Sequence, residues 1–209
     1  MSAEHSSNNS LPLLVHTPDA WAAQVLSEPL ALLGDHAHLE RKAAANALEL
    51  VSRWPGSACP DAWVSILAAV ARDEANHLQA VSRLLAARGG YMPRVHRNRY
   101  ASALHALVRR GEASRELLDR LLVSALIEAR SCERFELLGR CAADTELAAF
   151  FHSLHGSELG HYKVFLHLAG LLVTAREWQP RWQAMLVAEA DIMACQLAGP
   201  RMHSGWAAP

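Results

Sequence analysis

Cysteine is scarce in this chain, and the cysteines it has stand apart. Cys59, Cys132, Cys141 and Cys195 form no Cys-x-x-Cys pair. That spacing excludes a zinc knuckle, a rubredoxin-like site and a thioredoxin motif. Scattered thiols suit a reducing compartment. Aromatic residues make up 6% of the chain and glycines number only 11, whereas Ala and Leu abound, a bias toward helices over sheets. An excess of charge is also missing. The formal net charge is −1, so the average balance names no partner. No uncharged apolar run reaches the roughly 18 residues that a membrane span needs. Met1 to Ser10 is polar and lacks the basic start and apolar run of a secretory signal. These absences point to a cytoplasmic protein with no membrane partner.

What is present suits a globular domain. The chain has 209 residues, 51% of them hydrophobic, enough for one sizeable core. Residues 1–16 read as a loose leader. Thr17-Pro18-Asp19 and Ser27-Glu28-Pro29 are helix starts, with proline at the first helical position. A long helix is expected from Pro29 to about Arg53, a second from Pro60 to about Arg88, a third from Ser114 to about Arg140 and a fourth from Asp144 to about Val173. Pro180 reads as the opening of a final helix to about Leu197, and residues 199–209 as a tail. The connections after the first and third long helices are short, which suits two antiparallel pairs. Residues 89–113, irregular or partly helical, are long enough to cross along the bundle. The expected architecture is all-α, a four-helix bundle with a crossover connection and extra terminal helices, in one domain over residues 17–198.

The helix-period stripes carry an anomaly, because each apolar face includes a carboxylate. Glu40 lies with Leu33, Ala37, Ala44 and Ala47, and Glu74 and His77 lie with Ile66, Val70, Val81 and Leu84. Glu128 lies with Leu117, Leu121, Ala125, Cys132 and Phe135. Glu158 and His161 lie with Leu147, Phe151, Leu154, Phe165 and Leu168. Burying an unpaired carboxylate costs several kcal/mol, and four facing one another repel. Two divalent ions remove the conflict, with two imidazoles completing the ligand set. The arrangement is repeated: Glu40 precedes Glu74-Ala75-Asn76-His77 by 34 residues, and Glu128 precedes Glu158-Leu159-Gly160-His161 by 30. Two Glu-x-x-His matches are unremarkable alone. Their mid-helix placement on apolar stripes, each with an upstream Glu at matched spacing, makes Glu40, Glu74, His77, Glu128, Glu158 and His161 the candidate metal ligands. An oxygen-rich set of this kind suits iron or manganese.

Glu133 is the rival to Glu128. Five residues of helix turn it away by about 140°, onto a face with Arg130 and Arg134, so Glu128 is expected to face the bundle axis. Asp73 is a candidate supporting residue behind the ligands, taking the ring N–H of His161, and Glu136 is another. Cys132 reads as a small core residue, and His36 and His38 as pocket or surface residues. From Arg88 to Arg110 the chain has no Asp or Glu. Arg88, Arg94, Arg97, Arg99, Tyr100, Arg109 and Arg110 form a candidate RNA-contact strip, because guanidinium forks bind phosphate and tyrosine offers a stacking face. The competing reading is a solvated crossover whose arginines pair with the protein's own acidic faces.

Four stretches carry a resemblance: Asp35-His36-Ala37-His38-Leu39-Glu40-Arg41-Lys42-Ala43-Ala44, Arg72-Asp73-Glu74-Ala75-Asn76-His77, Ile127-Glu128-Ala129-Arg130-Ser131-Cys132-Glu133-Arg134-Phe135 and Ser157-Glu158-Leu159-Gly160-His161. Over roughly residues 20–200 the chain resembles the MiaE family, tRNA hydroxylases of the ferritin-like superfamily. The Ile-Glu-Ala-Arg-Ser-Cys-Glu-Arg-Phe run is the most specific element. The resemblance implies a ferritin-like non-haem di-iron monooxygenase with two iron ions, dioxygen as co-substrate, and the six residues above as ligands. It implies hydroxylation of the isopentenyl group of 2-methylthio-N6-isopentenyladenosine in tRNA, with electrons from a ferredoxin-type donor and its reductase. The alternatives are a ferritin-like ferroxidase or peroxide-scavenging protein without tRNA activity, and a helical interaction protein without catalysis.

Overall fold

The computed structural model describes residues 11–206. It contains α1 (Asp19–Leu26), α2 (Pro29–Val51), α3 (Asp61–Ala87), α4 (Arg99–Ala106), α5 (Ala113–Cys141), α6 (Thr145–Leu172) and α7 (Ala175–Ala194). Among the described residues the only β pairing is an isolated bridge between Ala198 and Gly205. The all-helical expectation holds. α2 packs on α3, and α5 on α6, as two hairpins. Antiparallel alignment shows in the contacts across each pair: the Trp63 indole donates to the Leu50 carbonyl at 3.1 Å, and the Cys132 thiol lies 3.4 Å from His155 Nδ1. The local signals are visible at several helix starts. Pro29 occupies the first turn of α2, and the side chains of Asn98 and Asp144 cap α4 and α6 by accepting from Ala101 and Leu147 N–H, each at 3.0 Å.

Two apolar clusters fill the bundle, one toward each end. One gathers Leu50, Trp63, Leu67, Leu118, Leu121, Phe165 and Trp182. The other gathers Trp21, Leu33, Val81, Leu84, Phe135, Phe151 and Leu154. Along every long helix the carboxylate-bearing turn falls between them, so the polar layer sits at mid-bundle with hydrophobic packing above and below.

Several boundaries differ from expectation. Pro180 lies inside α7, which starts five residues earlier after Thr174. This end is exposed, so solvent can take the carbonyl that proline leaves without a donor. The crossover is partly helical, as expected, with the short helix α4 in its second half. Residues 1–10 of the expected leader lie outside the described residues. Residues 11–17, by contrast, are tied down: Leu13 is buried, the Val15 carbonyl accepts from Arg130 at 2.9 Å, and Thr17 Oγ1 donates to Glu133 at 2.6 Å. The expected C-terminal tail is corrected likewise over residues 199–206. Met202, His203 and Ser204 are buried. Arg134 donates to the carbonyls of Met202 and Ser204, the latter at 2.8 Å, and its guanidinium lies 4.3 Å over the Trp21 ring. Gly205 passes so close to the Gln196 carbonyl that a Cβ there would lie 2.0 Å from that oxygen.

These attachments converge on two fully buried arginines of α5. Arg130 and Arg134 have zero exposure, and Arg130 makes a bidentate pair with the equally buried Glu189 of α7 at 2.8 and 3.0 Å. Tyr100 of α4 donates to the same Glu189 at 2.9 Å. One face of α5 therefore fastens α4, α7, the N-terminal segment and the C-terminal strap. Replacing Arg130 by Met should strand the Glu189 carboxylate and cost about 3–5 kcal/mol in urea unfolding, with most of it recovered by adding Glu189→Leu. A single-variant loss under about 1 kcal/mol would contradict this role.

Candidate metal centre

The six expected ligands come together at mid-bundle. Glu40 is on α2, Glu74 and His77 are one turn apart on α3, Glu128 is on α5, and Glu158 and His161 are one turn apart on α6. The i, i+3 spacing puts each Glu and His of a pair on one face. His77 Nδ1 lies 3.5 Å from Glu40, 3.6 Å from Glu74 and 3.3 Å from Glu158. His161 Nδ1 lies 2.7 Å from Glu74 and 3.5 Å from Glu158. Two overlapping groups result, with donor atoms within 4.8 Å of one another: Glu40, Glu74, His77 and Glu158, and Glu74, Glu128, Glu158 and His161. Glu74 and Glu158 belong to both. Two ions could be held side by side by such a set, with Glu74 and Glu158 within reach of both and one further Glu and one His within reach of each.

The electrostatics show that this cluster needs positive charge. All four carboxylates are buried, Glu74 and Glu158 to 1% exposure. Burial and the neighbouring Glu158 charge push Glu74 up to about 8, and Glu128 is raised well above the carboxylate range for the same reasons. Burial also opposes ionisation of Glu40 and Glu158. For Glu40 the His36 ring outweighs it and for Glu158 the two site imidazoles do, so Glu40 is lowered and Glu158 falls to about 2. Burial disfavours imidazolium, but the surrounding carboxylates win, raising His77 to about 12 and His161 to about 10. Two of the carboxyls and both imidazoles are thus shifted toward their protonated forms. Protons take the place of cations.

The hydrogen bonding is incomplete all the same. Both oxygens of Glu74, Glu158 Oε2, and Nδ1 of His77 and His161 are buried without a well-aligned hydrogen bond, the 2.7 Å approach of His161 to Glu74 included. Buried polar atoms are rarely left so, and here they face one shared space. Ions with oxygen and imidazole preference would satisfy all of them, so the residues present fit a pair of iron ions.

The surroundings sort the other candidates. Glu133 points away from the cluster and is held by Arg130 and Thr17, whereas Glu128 points in. Asp73 Oδ2 lies 3.8 Å from His161 Nε2, beyond hydrogen-bond range, and Asp73 also receives Arg72 at 3.1 Å. Glu136 is exposed on α5, which corrects its expected place behind the ligands. His36, left open between pocket and surface, is buried: its Nε2 meets Glu40 Oε1, and its ring packs on Phe135, Phe150 and Phe151 at 5.0–6.1 Å. The i, i+4 spacing of His36 and Glu40 was the signal that could have found it. Of the arginine strip, Arg88 pairs with Asp144 and Glu146, and Arg109 with Asp119. Tyr100 is fully buried and cannot stack on a base. These three expected RNA contacts are corrected. Arg94, Arg97, Arg99 and Arg110 are exposed and form no ion pair among the described residues.

The protonation pattern sets a test. Ligation requires ionised carboxylates and neutral imidazoles, so the protons on Glu74, Glu128, His77 and His161 must leave. Anaerobic addition of two equivalents of ferrous ion near pH 7 should release about four protons per chain. Because protons compete with the metal, affinity should rise with pH through the neutral range. Release below about one proton, or affinity independent of pH, would contradict the assignment.

With the geometry in place, known proteins can be compared. The family model described as "tRNA-(MS[2]IO[6]A)-hydroxylase (MiaE)" matches residues 6–204. A Pseudomonas putida protein named tRNA 2-(methylsulfanyl)-N(6)-isopentenyladenosine(37) hydroxylase is 37% identical over 189 residues, covering 90% of each chain. A Salmonella typhimurium protein of the same name is 30% identical over 236 residues, covering 90% of this chain and 86% of its own. Among solved structures, a Synechococcus protein described as having aldehyde deformylating oxygenase activity superposes with a TM-score of 0.85 at 32% identity, covering 93% of this chain and 96% of that one. The matched range spans all four helices that carry the candidate ligands: the chain belongs to the MiaE family.

Proposed function

We propose that this protein is an oxygen-dependent tRNA hydroxylase that converts the isopentenyl group of 2-methylthio-N6-isopentenyladenosine to an alcohol, with two iron ions held by Glu40, Glu74, His77, Glu128, Glu158 and His161. The observation that carries the reading is the doubled carboxylate–imidazole cluster between two apolar cores, in a chain of this family. Iron in such a ligand set supplies the dioxygen activation that hydroxylation of an allylic C–H bond requires.

The chain's own residues do the rest. Glu74 and Glu158, common to both groups, would be within reach of either ion. His36 holds Glu40 from behind, inside an aromatic wall that excludes water. The unpaired guanidiniums of Arg94, Arg97, Arg99 and Arg110 offer charge for the RNA backbone. One oxygen atom enters the product and the other leaves as water, so the reaction takes two electrons and two protons from outside. A ferredoxin-type donor with its reductase fits that need. A tRNA substrate suits the cytoplasm, and among the described residues no helix is long and apolar enough to cross a membrane.

The test is mass spectrometry of nucleosides from tRNA carrying the isopentenyl modification, after incubation with iron-loaded protein, reductant and air. The wild type should add one oxygen atom. Glu128→Ala should abolish the product and lower iron content, while Glu133→Ala should keep both irons. Hydroxylation that survives Glu128→Ala but is lost with iron in Glu133→Ala would overturn the ligand assignment. No oxygen incorporation by the wild type would overturn the function.

A further inference from the structure

Among the described residues, a cavity that reaches the carboxylate cluster starts from the basic face. An open basin of about 530 Å³ lies over the start of α4, lined by Lys42, His96, Arg97, Arg99, Ser102 and His105 among others. A narrower cavity of about 90 Å³ shares Lys42, Asn98, Ala101 and His105 with it, and continues between α2, α4 and α5 past Leu39, Ala43 and Ile127 to Glu128. The two form a funnel: cationic and wide outside, mostly apolar and narrow inside, ending on a carboxylate of the site. The throat has fixed walls. Asn46 of α2 donates to Ser124 of α5 at 2.9 Å, and Ser124 in turn donates to the Arg120 carbonyl at 3.0 Å. On the outer side, Lys42 Nζ contacts His96 Nδ1 at 2.8 Å, and His96 Nε2 meets Asp35 at 2.7 Å, anchoring the rim to α2.

From this we infer that the substrate enters between α2, α4 and α5 with its prenyl chain leading, and that Leu39, Ala43, Ala101 and Ile127 select for that chain while the purine stays in the basin. The inference rests on the function proposed above and names the route and selectivity of the same site. Size decides which part goes in. An apolar cavity of about 150 Å³ binds a benzene ring, so a throat of about 90 Å³ is too small for the two-ring purine, whereas a slender branched chain can thread it with its stem still in the basin. Chemistry agrees. Leu39, Ala43 and Ile127 give an alkyl group an apolar path, and Arg97 and Arg99 flank the place where the nucleotide's phosphates must lie. Glu128 at the closed end puts the chain's tip beside the site's second group of ligands.

The experiment uses iron-loaded full-length protein and tRNA carrying the isopentenyl modification, with iron content, tRNA affinity and hydroxylation read in parallel. Ala43→Phe and Ala101→Phe, each plugging the throat from a different helix, should lose hydroxylation while keeping iron and tRNA affinity. Addition of tRNA should also no longer perturb the optical spectrum of the iron site, a change expected in the wild type. Arg97→Ala with Arg99→Ala should instead weaken tRNA binding and lower its salt slope by about two. Leu39→Ala adds no bulk to the fold and should widen the throat, raising turnover of tRNA bearing a longer prenyl chain relative to the wild type. Wild-type turnover and spectral response in both plug variants, or an unchanged chain-length preference in Leu39→Ala, would overturn the route. An inactive wild type would count against the proposed function, and a spectral response that the plugs abolish would still uphold the route.

Discussion

Four carboxylates share a water-poor space at the centre of this bundle, and the rest of the molecule is arranged around that charge. Left alone they would repel, and each would cost several kcal/mol to bury ionised. Without metal the protein resolves the conflict with protons, two on carboxyls and two on imidazoles beyond their neutral state. Two divalent ions would balance the four carboxylates with both imidazoles neutral. Residual strain shows in the unpartnered atoms of Glu74, Glu158, His77 and His161, which a proton satisfies poorly and an ion satisfies well.

Holding such a layer needs rigid helices, and α5 supplies much of the rigidity. Its two faces have opposite duties. One sends Glu128 into the cluster; the other buries Arg130 and Arg134, which grip Glu189, Glu133, the N-terminal segment and the strap at residues 202–204. Tyr100 of α4 joins the same network through Glu189. α4 also forms one wall of the funnel, so the network that stabilises the fold positions the substrate's entrance as well.

Most of the site was legible in the sequence because two periodicities coincide. Apolar residues at helical spacing fix the rotation of each long helix, and the Glu-x-x-His pairs then fall inward with no further assumption. Rotation alone separated Glu128 from Glu133. What could not be read depends on charges that break the pattern. Two arginines at zero exposure look like surface residues to any hydropathy argument, so the strap they hold looked like a loose tail. Tyr100, Arg88 and Arg109 looked free because their partners Glu189, Asp144, Glu146 and Asp119 lie far along the chain or on another helix. Pro180 was read as a helix start because proline favours that position, yet the exposed end of α7 tolerates it six residues in.

The central claim is that two ions sit side by side, spanned by Glu74 and Glu158. It is tested most directly by anomalous diffraction at the iron edge from crystals of the loaded protein. The account predicts two peaks per chain, one beside Glu40 and His77 and one beside Glu128 and His161, with Glu74 and Glu158 touching both. A single peak, or density bound to Glu133 with Glu128 turned outward, would contradict it.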